Sequence, residues 1–234
     1  MSDHLTLAQV DRDGAIAETL DRIGPDSRAG FLRKGAILGG GLIGGGAVLS
    51  ALFAEAGKAA TQTDLDIGNF ALTLEYLEAE FYTEAVAMGA ISNPRVRRFA
   101  QVVAAHERTH VRALKQMLGA SAVAKPSFNF QGTTESEAKF KATAQVLEDT
   151  GVMAYAGQAP LVESNAVLKA ALAIHTVEAR HASWIRHING APPAPASFDK
   201  PKSMAQILKA VGATGFISTG PGMTREGTSP SFTG

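Results

Sequence analysis

No cysteine occurs anywhere in the 234 residues. Disulfides, thiolate metal sites, iron–sulfur clusters and cysteine nucleophiles are excluded together, so any bound metal must be held by oxygen and imidazole. Neither sign of charge dominates: lysine plus arginine and aspartate plus glutamate both total 22. That balance leaves no basic field to hold a nucleic acid. Tryptophan and tyrosine are scarce, with one Trp (Trp184) and three Tyr (Tyr76, Tyr82, Tyr155), too few for a base-stacking surface. Hydrophobic content of 45% is enough for a real core, and a mostly single-domain globular protein is the expectation.

Charge is also missing from residues 35 to 54, GAILGGGLIGGGAVLSALFA, which follow Arg28, Arg33 and Lys34. A basic region leading into an apolar one and closing on Ala54-Glu55-Ala56 predicts an export signal over residues 1–56. Cleavage after Ala56 would leave a mature N-terminus at Gly57 outside the cytoplasm. Because about twenty apolar residues can span a bilayer, a retained membrane anchor is the alternative. Ser27 to Lys34 resembles the twin-arginine export box, with Arg28, Phe31 and Leu32 in place and Ala29 where the second arginine stands. The export machinery is the partner which that resemblance implies.

Four helices are expected beyond the leader. Asp64 is a candidate cap for a first helix running to about Met88, and Asn93-Pro94 opens a second that stops at Gly119. Thr134 with Glu137 reads as a capping box for a third helix, which fades at Gly157 and Pro160. A fourth begins near Asn165 and ends at Asn189-Gly190. The segment from Gly119 to Thr133 can reach ~50 Å when extended, longer than a 25-residue helix at ~37 Å, so it can cross the bundle. After Gly190 the Pro-Pro-Ala-Pro run and Gly/Ser/Thr-rich tail predict a loosely packed extension over residues 191–234, relieved by a short apolar piece from Met204 to Val211.

The chemistry lies in a repeat. The second helix carries Glu107-x-x-His110 and the fourth carries Glu178-x-x-His181, a spacing that puts each pair on one helix face, able to converge on one metal. The first helix supplies Glu75 and Tyr82, the third Glu148 and Tyr155, each pair two turns apart on one face. The order Glu-x6-Tyr, Glu-x-x-His therefore occurs twice. From starts at 64, 94, 134 and 165 the four glutamates fall at nearly one depth. Four bare carboxylates in an apolar core would repel one another and be costly to desolvate, so metal or protons must fill the site.

This pattern resembles the ferritin-like superfamily, an all-α fold whose four-helix bundle has a long crossover between helices 2 and 3. Residues 64 to about 217 are similar to its exported branch, which includes desiccation-related proteins. The matching stretches are LEYLEAEFY (Leu74 to Tyr82), Phe128-Asn129-Phe130, LEDTGVMAYAG (Leu147 to Gly157), VEARHASWIRHI (Val177 to Ile188), Ser197-Phe198-Asp199 and Gly215-Phe216-Ile217. By that resemblance Glu75 and Glu148 are terminal ligands, Glu107 and Glu178 bridges, and His110 and His181 supply one imidazole to each of two metals. Tyr82 and Tyr155 would be hydrogen-bond partners of the ligands.

Other residues near the repeat carry alternatives. Glu78, one turn from Glu75, is either an extra ligand or a rim charge. His106 and His175 either bond a ligand carboxylate or fill the core, and His187 suits a helix C-terminus. Gly151, in mid-helix, allows either close packing or room beside the metals. His106-Glu107-Arg108-Thr109-His110 also matches the zinc-protease helix, which leaves Glu75, Glu148, Glu178 and His181 unexplained. The donor set suits two iron or manganese ions and predicts an oxidoreductase acting on oxygen or hydrogen peroxide. The alternative is a metal-stabilised protective or structural protein of the cell envelope. A small homo-oligomer is expected, because nothing after Gly190 resembles a long fifth helix that would help close a storage shell.

Overall fold

The computed structural model describes residues 44–218. Arg28, Phe31, Leu32 and the first part of the apolar run lie outside the described residues, as does the end of the tail. The chain divides between Leu49 and Ser50, and the second unit contains all four bundle helices.

Helix α1 (Gly44–Ala59) comes first. The bundle itself is α2 (Gln62–Met88), α3 (Pro94–Leu118), α4 (Glu137–Gln158) and α5 (Asn165–Ile188). Helix α2 packs most extensively on α3, and α4 on α5, so two hairpins face each other. The starts of α3 and α4 adjoin, since Glu137 accepts from the Asn93 amide at 2.7 Å. The starts of α2 and α5 adjoin as well, through Asp64 and the Ser164 amide at 3.2 Å. The chain between α3 and α4 therefore travels the length of the bundle, as its reach allows.

Two helix starts differ from the sequence expectation. Thr61, not Asp64, caps α2; Asp64 is the acid of that capping box and also accepts from the Glu163 and Ser164 amides. A carboxylate with several lone pairs can serve both strands of this junction, which spacing alone cannot reveal. Ser136 caps α4, and Thr134 instead donates to Glu84 at 2.6 Å. With these starts the glutamates lie 13 (75 − 62), 13 (107 − 94), 11 (148 − 137) and 13 (178 − 165) residues in. The spread of two residues is about 3 Å along the axis, so the four share one level.

The loosely packed extension is corrected as far as Ser218. Met204–Thr214 is helix α6, capped by a Ser203–Gln206 box, and it buries Ile207 and Val211. Beyond it β2 (Ile217–Ser218) pairs antiparallel with β1 (Ser127–Phe128) of the crossover, and Phe216 packs edge-on against Phe130. An apolar helix with two anchoring strand residues overrides the Pro-rich composition before it. Gly157 is needed where this segment crosses α4, because a side chain there would strike the Lys202 backbone.

Helix α1 docks on the end of α3. Phe53 and Ala56 are buried against a cluster containing Leu114, Met117 and Leu118. Gly57 meets the Met117 backbone, and Ser50 and Gln116 exchange hydrogen bonds of 2.9 to 3.1 Å. Ala54 and Ala56 thus lie within a packed helix. No helix among the described residues is long and apolar enough to cross a membrane.

Candidate metal centre

Apolar side chains form two clusters. One gathers Phe81, Phe99, Phe130, Phe140, Ile185 and Ile207; the other Leu72, Leu114, Met117, Val167 and Ile174. Along α3 and α5 the polar residues Glu107, His110, Glu178 and His181 fall between the positions given to the two clusters. The polar layer is thereby closed off from water at both ends.

All six residues expected as ligands meet in that layer, with exposures from 0 to 8%. Their donor atoms form two groups, Glu75–Glu107–His110–Glu178 and Glu107–Glu148–Glu178–His181, each within 4.8 Å. Glu107 and Glu178 belong to both groups, and each group has one imidazole and one carboxylate of its own. His110 Nδ1 stands 3.2 Å from Glu75, 3.2 Å from Glu107 and 2.9 Å from Glu178. His181 Nδ1 stands 3.1 Å from Glu107, 3.4 Å from Glu148 and 3.5 Å from Glu178.

The tyrosines cross between the halves. Tyr82 on α2 donates to Glu148 on α4 at 2.5 Å, and Tyr155 on α4 donates to Glu75 on α2 at 2.6 Å. Each fixes one oxygen of the carboxylate private to a group, and burial beside these acids raises both phenols well above their usual range.

Several atoms of the cluster lack hydrogen-bond partners despite being buried: Glu107 Oε1, Glu148 Oε2, both Glu178 oxygens and His181 Nδ1. Buried polar atoms are ordinarily satisfied, and here the orphans converge on one another. In the His181 group the donors approach without hydrogen-bond geometry, whereas His110 Nδ1 also hydrogen-bonds Glu75 and Glu107; three carboxylates and one imidazole in each group fit a cation.

Protons are the other way to hold such acids together. Burial and neighbouring carboxylates raise Glu78 and Glu107 well above the carboxylate range, and burial lifts Glu148 to about 7. Burial opposes protonation of His181, but the facing carboxylates win and push it up to about 12; His110 rises likewise. Glu178 touches both imidazoles, which overcome its burial and lower it to about 2.

The remaining residues divide. Glu78 is buried among these carboxylates and is no rim charge. His106 is exposed, belongs to neither donor group, and hydrogen-bonds His181 Nε2 through its Nδ1 at 2.9 Å. It therefore backs a candidate ligand instead of forming a zinc-protease pair with His110. His175 Nδ1 has no hydrogen-bond partner, and its ring lies 6.2 Å from that of Tyr155, so it bonds no carboxylate through that atom. Asp149, unnoticed in the sequence, ties α4 to α5 by a bidentate pair with Arg186 at 2.6 and 2.8 Å. Its position beside Glu148 was the available signal.

Fold and site define a carboxylate-lined four-helix bundle, with one Glu from each of two helices and a Glu-x-x-His from each of the other two. The chain belongs to the ferritin-like domain family, whose model matches residues 63–191. None of the curated proteins compared with the chain matches it.

Proposed function

We propose that this is a di-metal carboxylate protein holding two iron or manganese ions, and that it is an oxidoreductase acting on oxygen or hydrogen peroxide. The observation that carries the reading is the pair of overlapping donor groups sharing Glu107 and Glu178, with their orphaned buried atoms. Glu107 and Glu178 would bridge, Glu75 and Glu148 would each serve one ion, and His110 and His181 would complete the two sets. Two redox-active ions would supply the electrons which protein side chains lack. Tyr82 and Tyr155 hold the private carboxylates in place, and the apolar clusters keep out bulk water.

A narrow cavity of about 30 Å³ is lined by Gly68, Leu74, Leu114, Met117 and Ala154, and by Tyr155, the partner of Glu75. Apart from Tyr155 and Gln158 its lining is apolar, which suits dioxygen better than peroxide. Export is part of the proposal, supported by the order of basic and apolar residues in the leader and the resemblance to the exported, desiccation-related branch. A small homo-oligomer is the proposed assembly.

The test is to load the protein anaerobically with Fe(II) or Mn(II) and add oxygen or peroxide. A new visible absorption, or peroxide loss faster than with the free ion, is expected. An inert loaded protein whose melting temperature rises strongly with metal would make the ions structural, since a ligand bound only to the folded state stabilises it by mass action. The envelope-protein reading would then replace the oxidoreductase.

A further inference from the structure

The two halves of the repeat match at Glu75 and Glu148, at Tyr82 and Tyr155, and at the two Glu-x-x-His pairs. They break at one place in the buried layer. Three residues after Glu75 stands Glu78, whereas three residues after Glu148 stands Gly151. These unmatched positions face each other across the bundle: a Cβ on Gly151 would lie 3.5 and 3.7 Å from the two Glu78 oxygens and 3.9 Å from Glu178 Oε2. One helix thus adds a carboxylate at the level where the opposite helix leaves its side chain out.

Glu78 is only 3% exposed. A fifth buried acid in a layer that already holds four is costly unless it is used, because repulsion and desolvation act in the same direction. Of the two Glu178 oxygens it is Oε2, 3.5 Å from His181 Nδ1, that borders the Gly151 space together with Glu78, whereas Oε1 stands 2.9 Å from His110. Glu78 therefore lies on the side of the group containing His181, just outside its four mutually close donors.

We propose that Glu78 is a further carboxylate donor, serving the cation position of Glu107, Glu148, Glu178 and His181 and not its counterpart, so that the two positions are unequal. The inference rests on the two-cation reading above. Three carboxylates and an imidazole serve the His110 position, while four carboxylates and an imidazole serve the His181 position. Charge count and rigidity set the affinity of such oxygen-rich sites, so the His181 position fills first.

Mn(II) titration of the whole protein, followed by the electron paramagnetic resonance of free and bound ion, separates the possibilities. Wild type is expected to bind two ions in resolved steps. Glu78→Gln keeps the side-chain shape, removes the charge and should weaken the tighter step about 10- to 100-fold, the range for losing a tuning partner of a metal site, with the other step unchanged. Metal-free Glu78→Gln should melt no lower than wild type, because an uncompensated buried acid has been removed; this establishes that the variant folds. Two unchanged steps in Glu78→Gln, or equal weakening of both, would overturn the inference while leaving two ions in place. Wild type that takes up no Mn(II) and no Fe(II) would overturn the two-cation reading and this inference with it.

Discussion

Glu107 and Glu178 each face both imidazoles, and proton and cation compete for the same lone pairs there. Glu148, ordinarily near 4.5, is raised to about 7, so the folded metal-free protein holds a proton that the unfolded chain releases, and stability is lost as pH rises from 4.5 through 7. His181, ordinarily near 6.5, is raised to about 12; its contribution is complete below 6.5 and declines as pH rises through 12. Glu178, lowered to about 2, contributes fully above 4.5 and leaves the slope between pH 5 and 8 unchanged. The metal-free protein should therefore melt at a lower temperature at pH 8 than at pH 5.5. Metal loading should release protons and become tighter over the same interval. Calorimetric melts with and without Mn(II) at the two pH values check both signs, and a metal-free melting point rising with pH would contradict the assignment. At this scale the six donors were legible because two periodicities coincide: three residues for Glu-x-x-His and seven for Glu-x6-Tyr. The crossed tyrosine bonds were not, since helical spacing gives a face but not the carboxylate it meets on another helix.

Among the elements, α1 changes the account of the leader most. Its sequence carries the marks of a processing site, yet Ala56 is fully buried and Gly57 lies against the α3 backbone. Any cleavage after Ala56 would have to precede docking of α1 or follow its release. Removing residues 1–56 takes Phe53 and Ala56 from the core, a loss of about 2–3 kcal/mol by the usual burial scale. The shortened protein should melt about 5–10 °C lower than the full chain. Equal melting temperatures in a thermal scan would mean that α1 adds nothing to the fold. Helix ends set by local chemistry were readable: Asn93-Pro94 opens α3, and Asn165 begins α5. Asp64 misled because its carboxylate serves the capping box from the first turn and also reaches the start of α5, and Thr134 because its hydroxyl bonds Glu84 instead of a helix start. Helix α6 was legible only as an apolar patch, since its stability comes from burying Ile207, Val211 and Phe216 beside a crossover distant in sequence.

For the whole molecule, the arrangement follows from one requirement, that four helices present their acids at one depth. Parallel starts for α3 and α4, and for α2 and α5, satisfy it, and the crossover makes that topology possible. The aromatic cluster around Phe81, Phe99 and Phe140 and the aliphatic cluster around Met117 then enclose the polar layer. The repeat made the four-helix bundle legible in the sequence, whereas the enclosure by α1 and α6 depends on contacts that no local pattern announces. The central claim is that this layer holds two ions, one in each donor group. Elemental analysis of natively purified protein tests it most directly. About two iron or manganese ions per chain are expected, both lost together when Glu107 is replaced by alanine, because that carboxylate serves both groups. A single tightly held zinc, lost on His106→Ala and retained on Glu148→Ala, would contradict the account.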